Sequence, residues 1–431
     1  MKIKSIILFY VFLLMVLSQT PWTKSVVFLA IPLLIVLIFR HSKISSFGFK
    51  KILFINLIVL LGFISGIVHI AEYNMYYFAR DIMYFIQAPI FITIGIYLYN
   101  ELKDFDLLLK TIVLTSLLIT VYRFSEFLIN PSLIFQLGLE TRSKYDLSNG
   151  TALLAFIIVF YARKLHYKLF NKYGELTIMG LSFFSIAISF SRTFYVLFIL
   201  ALIIPYINKK KIIFKMYGVA VVLVVFIIFG NHFFQMDVGG TQGENFQTKV
   251  IHSIDEITVK DYDDALEILH NWRGYEAFLG RSKYYEGNLY EIFFGQGYGC
   301  VVITPEWIFK GEDIMGVLPM FHNGYITILL KAGLVGFLFF FLFLYTLLKT
   351  GTQSLKAAMS NEQALASILL QASVFFILFQ TFVIHGIFTT TVPVMLLILI
   401  GIILQLLSIY KSRTVSILNK SMEKKLNEKY E

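Results

Sequence analysis

Long apolar stretches separated by short polar segments fill most of this 431-residue sequence. A helix needs ~20 apolar residues to cross the ~30 Å hydrocarbon core of a bilayer, and lipid offers no partners to open backbone groups. Charged residues make up only 15% of the chain, against ~25% in soluble domains. The pattern predicts an all-α polytopic membrane protein with about twelve membrane helices, at about 4–19, 25–40, 52–71, 81–99, 107–128, 150–163, 175–190, 193–208, 212–234, 323–347, 364–386 and 389–410.

The distribution of Lys and Arg predicts which helix ends face the cytoplasm. If the N-terminus lies inside, the inner segments hold 24 Lys and Arg residues and the short outer loops hold 5. Because basic residues favour the cytoplasmic side, both termini are expected there. The chain then divides into nine helices in 1–234, one large and partly helical extracytoplasmic loop in 235–322, three helices in 323–410 and a basic cytoplasmic tail in 411–431.

Charge and cysteine content narrow the possible partners. The net charge of +10 would suit nucleic acid, but the basic residues lie in short loops between apolar runs, so no nucleic-acid partner is expected. The one cysteine, Cys300, excludes an intramolecular disulfide and a cysteine-based metal site. No metal and no cofactor are expected. The apolar run after Lys2 and Lys4 lacks a small-residue cleavage site and is expected to remain as the first helix.

The long loop ends in a polar motif directly before an apolar run, with His322 followed by Asn323, Gly324 and Tyr325. A neutral imidazole can accept a proton from an alcohol, because its ordinary pKa lies close to working pH. His322 is therefore a candidate general base, and Asn323 and Tyr325 are candidate substrate contacts. The alternative is an interfacial histidine that only bonds the start of the helix.

Several arginines are candidate ligands for anionic groups. Arg192 lies between two apolar runs, where an arginine costs ~2.5–3.5 kcal/mol at the bilayer centre and usually marks function. Its planar guanidinium suits phosphate, whereas the alternative is a hairpin turn from which the side chain reaches water. Arg80 and Arg142 are further outward-facing cations that either line a sugar or phosphate groove or serve a structural role.

The loop contains a predicted helix and a turn-rich segment. Residues 252–281 have near-helical apolar spacing, and Arg273 and Glu276 lie along one face of this helix. Arg281 is a rival to Arg273, and a solvated Arg–Glu pair is the alternative to a binding role. The glycine-rich run 293–299 lacks the strand–helix context of a nucleotide site.

Two segments together resemble the O-antigen ligase and polymerase superfamily. The run from His322 to Gly336 resembles that family's His-Asn motif, which leads into a helix with a Gly-Leu-x-Gly step. The strip Phe294-Gly295-Gln296-Gly297-Tyr298-Gly299 resembles the family's Gly-x-Gly turn. The plan of about twelve helices with one large outer loop late in the chain is also similar. Lys331 departs from the pattern, because family members often carry an acidic residue there.

The resemblance implies a GT-C-like glycosyltransferase of the bacterial inner membrane that needs neither metal nor nucleotide. Donor and acceptor would be glycans on undecaprenyl pyrophosphate, held in contact with membrane lipid, and a chain-length regulator protein is a further partner of such enzymes. Carried onto this sequence, the family's roles make His322 the general base. They make Arg192 and Arg273 the contacts of the pyrophosphate.

Three functions remain open at this point. An O-antigen or other surface polysaccharide polymerase, which joins lipid-linked repeat units, is favoured because the aromatic-rich helices and short motif resemble the more divergent polymerases. An O-antigen ligase would instead transfer the glycan to lipid A core. A lipid-linked oligosaccharide transporter or flippase is the alternative from another class, since twelve helices suit carriers. The late, outward-facing loop and the scarcity of charges within the helices argue against a carrier.

Overall fold

A computed structural model of the chain describes residues 2–19, 26–41, 46–129, 149–188, 192–203, 268, 271–304, 309–310, 313–314, 316–383, 385–388 and 393–430. This part is built almost entirely of helices. They are α1 (Lys2–Leu17), α2 (Val26–Arg40), α3 (Ser46–Val68), α4 (Met75–Leu102), α5 (Phe105–Ile129), α6 (Asn149–Lys164), α7 (Lys172–Ile188), α8 (Arg192–Ile203), α9 (Trp272–Tyr285), α10 (Leu289–Phe294), α11 (Gly324–Lys356), α12 (Asn361–Val383) and α13 (Val394–Tyr430), with a 3₁₀ turn at Gly386–Phe388.

Six of the described helices are long and apolar enough to cross a membrane, and they are α3, α4, α5, α11, α12 and α13. Shorter apolar helices lie in α1, α2 and α8. The prediction of a helical membrane protein is therefore confirmed, whereas the described residues give six spanning candidates instead of twelve. The predicted helix at 212–234 lies outside the described residues. The predicted cytoplasmic tail, residues 411–431, continues α13 as far as Tyr430.

Helices α4 and α13 form the enclosed centre of the bundle. In their apolar windows 72% and 78% of the residues are buried, against 33% in α3, which therefore lies towards the outside. Gly95 of α4 faces Gly401 of α13, and a Cβ added at either glycine would lie about 2 Å from a backbone oxygen of the other helix, 2.1 Å and 2.0 Å respectively. Small residues let helix backbones approach closely in lipid. Around this centre, α11 packs mainly on α12 and α3.

Residues 294–300 of the loop pack into the helical bundle, and we name this segment the glycine strip. Gly295, Gly297 and Gly299 have φ values of 86°, 85° and 91°, a left-handed conformation that is open to glycine and costly for other residues. A Cβ on Gly297 would lie 2.0 Å from the backbone nitrogen of Gly66 in α3. The backbone of the strip therefore touches the backbone of a membrane helix.

Hydrogen bonds attach the glycine strip to α3. The Tyr298 amide donates to the carbonyl of Gly62 at 2.9 Å, and the Tyr298 hydroxyl donates to the carbonyl of Val59 at 3.0 Å. Ser65 donates to the carbonyl of Phe294 at 2.9 Å. Irregular backbone at membrane depth is tolerated where the protein itself satisfies its polar groups, and the strip meets this condition.

Helix α11 is broken where the glycine strip crosses it. Gly333 has non-helical dihedral angles, φ 67° and ψ −170°, and a Cβ there would lie 2.3 Å from the carbonyl oxygen of Phe293. A break in a helix leaves carbonyl groups of the preceding turn without their usual donors. The Gln296 amide supplies a donor to one of them, the carbonyl of Leu330, at 2.8 Å.

A buried ion pair fixes the glycine strip to two helices at once. Lys331 Nζ in α11 lies 2.6 Å from Asp81 Oδ2 in α4, and both side chains are 0% exposed. The same carboxylate oxygen accepts the amide hydrogen of Gly299 at 3.0 Å, and Lys331 also donates to the carbonyl of Cys300. Lys331 thus has an acidic partner 250 residues away in the sequence.

Two short hairpins lead from the glycine strip towards His322. Strand β1 (Val302–Ile303) pairs antiparallel with β4 (Val317–Leu318), and β2 (Phe309–Lys310) pairs with β3 (Asp313–Ile314). No strand was expected in the loop from the sequence. Of the predicted helical region 252–281, the structure describes Ile268 and residues 271–281, which hold most of α9, while residues 252–267 and 269–270 lie outside the described residues.

The tight contact of the glycine strip predicts a large penalty for adding a methyl group. Gly297→Ala should lower the free energy of unfolding by roughly 3 kcal/mol, because the new Cβ overlaps α3 and the residue needs a positive φ. Gly180→Ala in α7 is the matched control, since its Cβ would meet nothing within 4 Å. Thermal unfolding of the detergent-solubilised variants measures both, and equal midpoints would contradict the packing described.

Candidate active site

The site is built by α9, which carries a buried carboxylate to the head of α11. Glu276 is only 4% exposed, and Trp272, one turn earlier on the same face, donates its indole N–H to Glu276 Oε1 at 2.5 Å. Spacing of four residues brings side chains together on a helix. The tryptophan therefore orients the carboxylate, a role that the spacing alone could have indicated but that was not predicted.

His322 meets this carboxylate through both its ring and its backbone. His322 Nδ1 lies 2.5 Å from Glu276 Oε2, and the His322 amide donates to the same oxygen at 3.1 Å. An ionised carboxylate only accepts hydrogen bonds, so the proton of the neutral ring resides on Nδ1. Nε2 is then the proton acceptor, as in other acid–histidine pairs of enzymes. Glu276, a candidate for substrate contact by its helical position, is directed at the histidine.

The surroundings of Glu276 keep it ionised. Burial by itself would raise the pKa of this carboxyl, but the hydrogen bonds from the His322 ring and backbone, the charge of His322 and the bond from Trp272 together hold the pKa below its ordinary value. A carboxylate that is both buried and ionised is well suited to stabilise a neighbouring imidazolium.

A second imidazole lies against the first. The rings of His322 and His385 are stacked with their centroids 4.9 Å apart and their planes 29° from parallel. His385 Nδ1 lies 2.5 Å from the carbonyl oxygen of Phe321 and donates to it. Neither Nε2 bonds to a described residue, and neither is among the described side-chain atoms that are buried without a partner. The His322 side chain is 33% exposed, so a ligand can reach this ring.

Asn323 and Tyr325 build the start of α11. Asn323 is the N-cap residue, and its side-chain oxygen accepts the amide hydrogen of Tyr325 at 3.0 Å. The Tyr325 hydroxyl donates to the carbonyl of Leu378 in α12 at 2.8 Å, and its ring stacks on Phe341. These two candidates for substrate contact hold the helix that presents His322.

The predicted cations are distributed around the site unequally. Arg273 follows Trp272 in α9, its side chain is exposed, and its charge acts on His385. Arg281 lies about two helical turns further along α9, with its guanidinium over the ring of Tyr285 at 5.6 Å. Arg192 begins α8, but its side chain lies outside the described part, and Arg142 lies outside the described residues.

Arg80 accompanies the buried ion pair of the glycine strip. Its guanidinium lies 3.3 Å from Asp81 Oδ1 and over the rings of Tyr77 and Tyr84, at 5.1 and 5.8 Å. Its Nε is buried without a hydrogen-bond partner. The structure therefore brings together His322 and Glu276 with Arg273 on the same helix, and it places Arg80 beside Asp81.

The remaining candidate chemistry is that of Cys300 and of metal ligands. The Cys300 thiol is buried and donates to Gln296 Oε1 at 3.0 Å, and its burial raises its pKa. A thiol in this setting packs as a small apolar group. Among the described residues, no three His, Cys, Asp or Glu side chains converge in a way that could hold a metal ion.

Comparisons with known proteins add no family to this geometry, because no protein-family model and no curated protein matches the chain.

The contacts of Glu276 predict its contribution to stability. Glu276→Gln should lower the free energy of unfolding by about 1–3 kcal/mol at pH 7, because a neutral amide cannot accept from all three buried donors. Glu286→Gln is the control, since Glu286 is 64% exposed and its ion pair with Lys283 lies at the surface. Thermal unfolding in detergent compares the two variants, and an equal effect would contradict the arrangement.

The same comparison has a defined pH dependence. Because the folded-state pKa of Glu276 lies below its ordinary value, the advantage of the wild type over Glu276→Gln is complete above the ordinary pKa. It should decline as the pH falls through the folded-state pKa. An advantage that grows on acidification would show that Glu276 is protonated in the native protein.

Proposed function

We propose that this chain is a surface polysaccharide polymerase of the O-antigen type, with about twelve membrane helices and a GT-C-like architecture. It would join undecaprenyl-pyrophosphate-linked repeat units at the outer face of a bacterial inner membrane. The observation that carries the proposal is the His322–Glu276 pair at the head of α11, in which the carboxylate is buried and the His322 side chain is 33% exposed. The resemblance of the same His-Asn segment and of the glycine strip to the O-antigen ligase and polymerase superfamily supports it.

The pair has the chemistry needed to activate a sugar hydroxyl. His322 Nε2 takes the proton of the acceptor hydroxyl, and the oxygen forms a bond to the anomeric carbon of the donor. The bond between that carbon and the pyrophosphate oxygen breaks, and its electron pair leaves with the lipid pyrophosphate. Direct substitution inverts the anomeric configuration. Glu276 stabilises the imidazolium that forms, and the proton later passes from His322 to water.

The leaving group needs cations that are in place before the bond breaks. Fixed charges stabilise a developing negative charge without reorganising at the moment of reaction. Arg273 is exposed at the beginning of α9, three residues before Glu276, and is the described cation suited to this role. Arg192 is proposed as its partner, since a planar guanidinium matches the oxygens of a pyrophosphate. Asn323 and Tyr325 contribute by holding His322 at the head of its helix.

Replacing the proposed base tests the enzyme against a transporter. His322→Ala should lower polymer formation by about 10²–10⁴-fold, since general-base catalysis contributes that much. Lipid-linked repeat units should then accumulate on the outer leaflet, where a membrane-impermeant lectin or periodate label detects them. His166→Ala is the control, because it alters an exposed histidine in the turn after α6. Accumulation on the inner leaflet would contradict the proposal and indicate a flippase.

The acceptor is tested with purified protein and lipid-linked repeat units. A polymerase should produce a ladder of products that grows in steps of one repeat unit, and the ladder should be absent with His322→Ala. Transfer only to lipid A core, with no ladder on lipid-linked units, would reject a polymerase in favour of a ligase.

A further inference from the structure

His385 contacts the segment that carries His322, although the two residues lie in different parts of the chain. It lies between α12 and α13, 64 residues after Phe321, whose carbonyl oxygen accepts its Nδ1 hydrogen at 2.5 Å. Phe321 directly precedes His322, and the ring of His385 also stacks on the ring of His322. His385 thus contacts both the backbone that leads to His322 and the ring of His322.

The backbone around His385 leaves little freedom for this contact to shift. A Cβ on Gly324, the first residue of α11, would lie 2.6 Å from the His385 carbonyl oxygen. Gly386 has a φ of 71°, and a Cβ there would lie 2.4 Å from Thr381 Oγ1. Two glycines therefore allow the turn to pack directly against the head of α11 and the end of α12. The close packing of the bundle therefore fixes the hydrogen bond between His385 and Phe321.

Burial and two neighbouring cationic groups lower the pKa of His385. Burial first, then the charge of His322 and that of Arg273, lower the pKa of His385 to about 4, against the opposing effects of the Phe321 carbonyl and Glu276. These groups lie on α9 and on the segment that enters α11. From α4, Gln87 donates to the carbonyl of Ile387, two residues after His385, at 3.4 Å, and it carries no charge.

We propose that His385 is a positioning residue, which holds His322 through the carbonyl of Phe321 so that Nδ1 meets Glu276 and Nε2 faces the acceptor. Its catalytic consequence rests on the proposed function, whereas its effect on the His322–Glu276 hydrogen bond does not. The hydrogen bond is the essential link, because it fixes the main chain one residue before His322. The stacked ring adds a wall that limits rotation of the His322 imidazole.

Two substitutions separate the hydrogen bond from the ring. His385→Asn keeps an amide N–H that can replace Nδ1 as the donor to Phe321, and His385→Phe keeps an aromatic ring without a donor. A misplacement of about 1 Å can cost roughly 10²-fold in rate. The polymerisation kcat should therefore fall by about 10²-fold in His385→Phe and by less than about fivefold in His385→Asn. KM should change little in either, because His385 holds the base and not the substrate.

A spectroscopic measurement tests the positioning without any assumption about the reaction. In histidine-labelled protein in lipid nanodiscs, the proton between His322 Nδ1 and Glu276 should give a low-field NMR signal, identified by its loss in Glu276→Gln. The signal should persist in His385→Asn and disappear or broaden in His385→Phe. His166→Phe makes the same exchange at an exposed histidine in the turn after α6 and should leave both the signal and kcat unchanged.

Each outcome decides for or against the proposal. An unchanged NMR signal in His385→Phe overturns the positioning role. A rise in KM at constant kcat in the two His385 variants also overturns it, since His385 would then bind substrate. Should His385→Phe not fold, His385→Asn still decides, because loss of the signal in that variant overturns the role of the hydrogen bond. If the signal behaves as expected while the wild type makes no polymer, the positioning role stands and the proposed function fails.

Discussion

The buried ion pair between Asp81 and Lys331 is the interaction on which the arrangement of the site depends. Two fully buried charges are costly to desolvate, and removing one partner of such a pair typically costs ~3–5 kcal/mol. The Gly299 amide donates to Asp81 and the Cys300 carbonyl accepts from Lys331, so each charge also has a hydrogen-bond partner in the glycine strip. The loop is therefore tied to α4 and α11 at a point where it cannot slide without exposing a charge to apolar surroundings.

The anchored glycine strip positions the helices that carry Glu276 and His322. The glycine strip continues α10, which follows α9 after three residues, so anchoring the strip fixes the helix that carries Glu276. Gln296 strengthens the connection by donating its side-chain amide to the carbonyl of Lys283 in α9 at 2.8 Å. His322 directly precedes Asn323, the N-cap of α11, and Lys331 lies about two turns into the same helix. One helix of the loop and one helix of the bundle thus bring an acid and an imidazole together, and the turn with His385 closes the third side.

Much of the fold and part of the site could be predicted from the sequence. Apolar length identifies α3, α4 and α11–α13, and the polar–apolar boundary at His322 marks the head of α11. The pairing of Asp81 with Lys331 could not be predicted, because local periodicity carries no information about contacts 250 residues apart. The break of α11 at Gly333 could not be predicted either, because the sequence around it is typical of a continuous helix. The break is caused by the glycine strip, which is distant in the sequence. Helical spacing placed Glu276 near a functional face, but only the packing of α9 on α11 shows that its partner is His322.

The central claim is that Glu276 and His322 act as one unit in the transfer of a sugar. A double-mutant cycle on the polymerisation rate measures this directly, with Glu276→Gln, His322→Ala and the combined variant. Groups that act together give strongly non-additive losses. The account predicts that the double variant is as slow as His322→Ala alone, because the carboxylate has no function without the imidazole. Losses that multiply, as for independent residues, would contradict it.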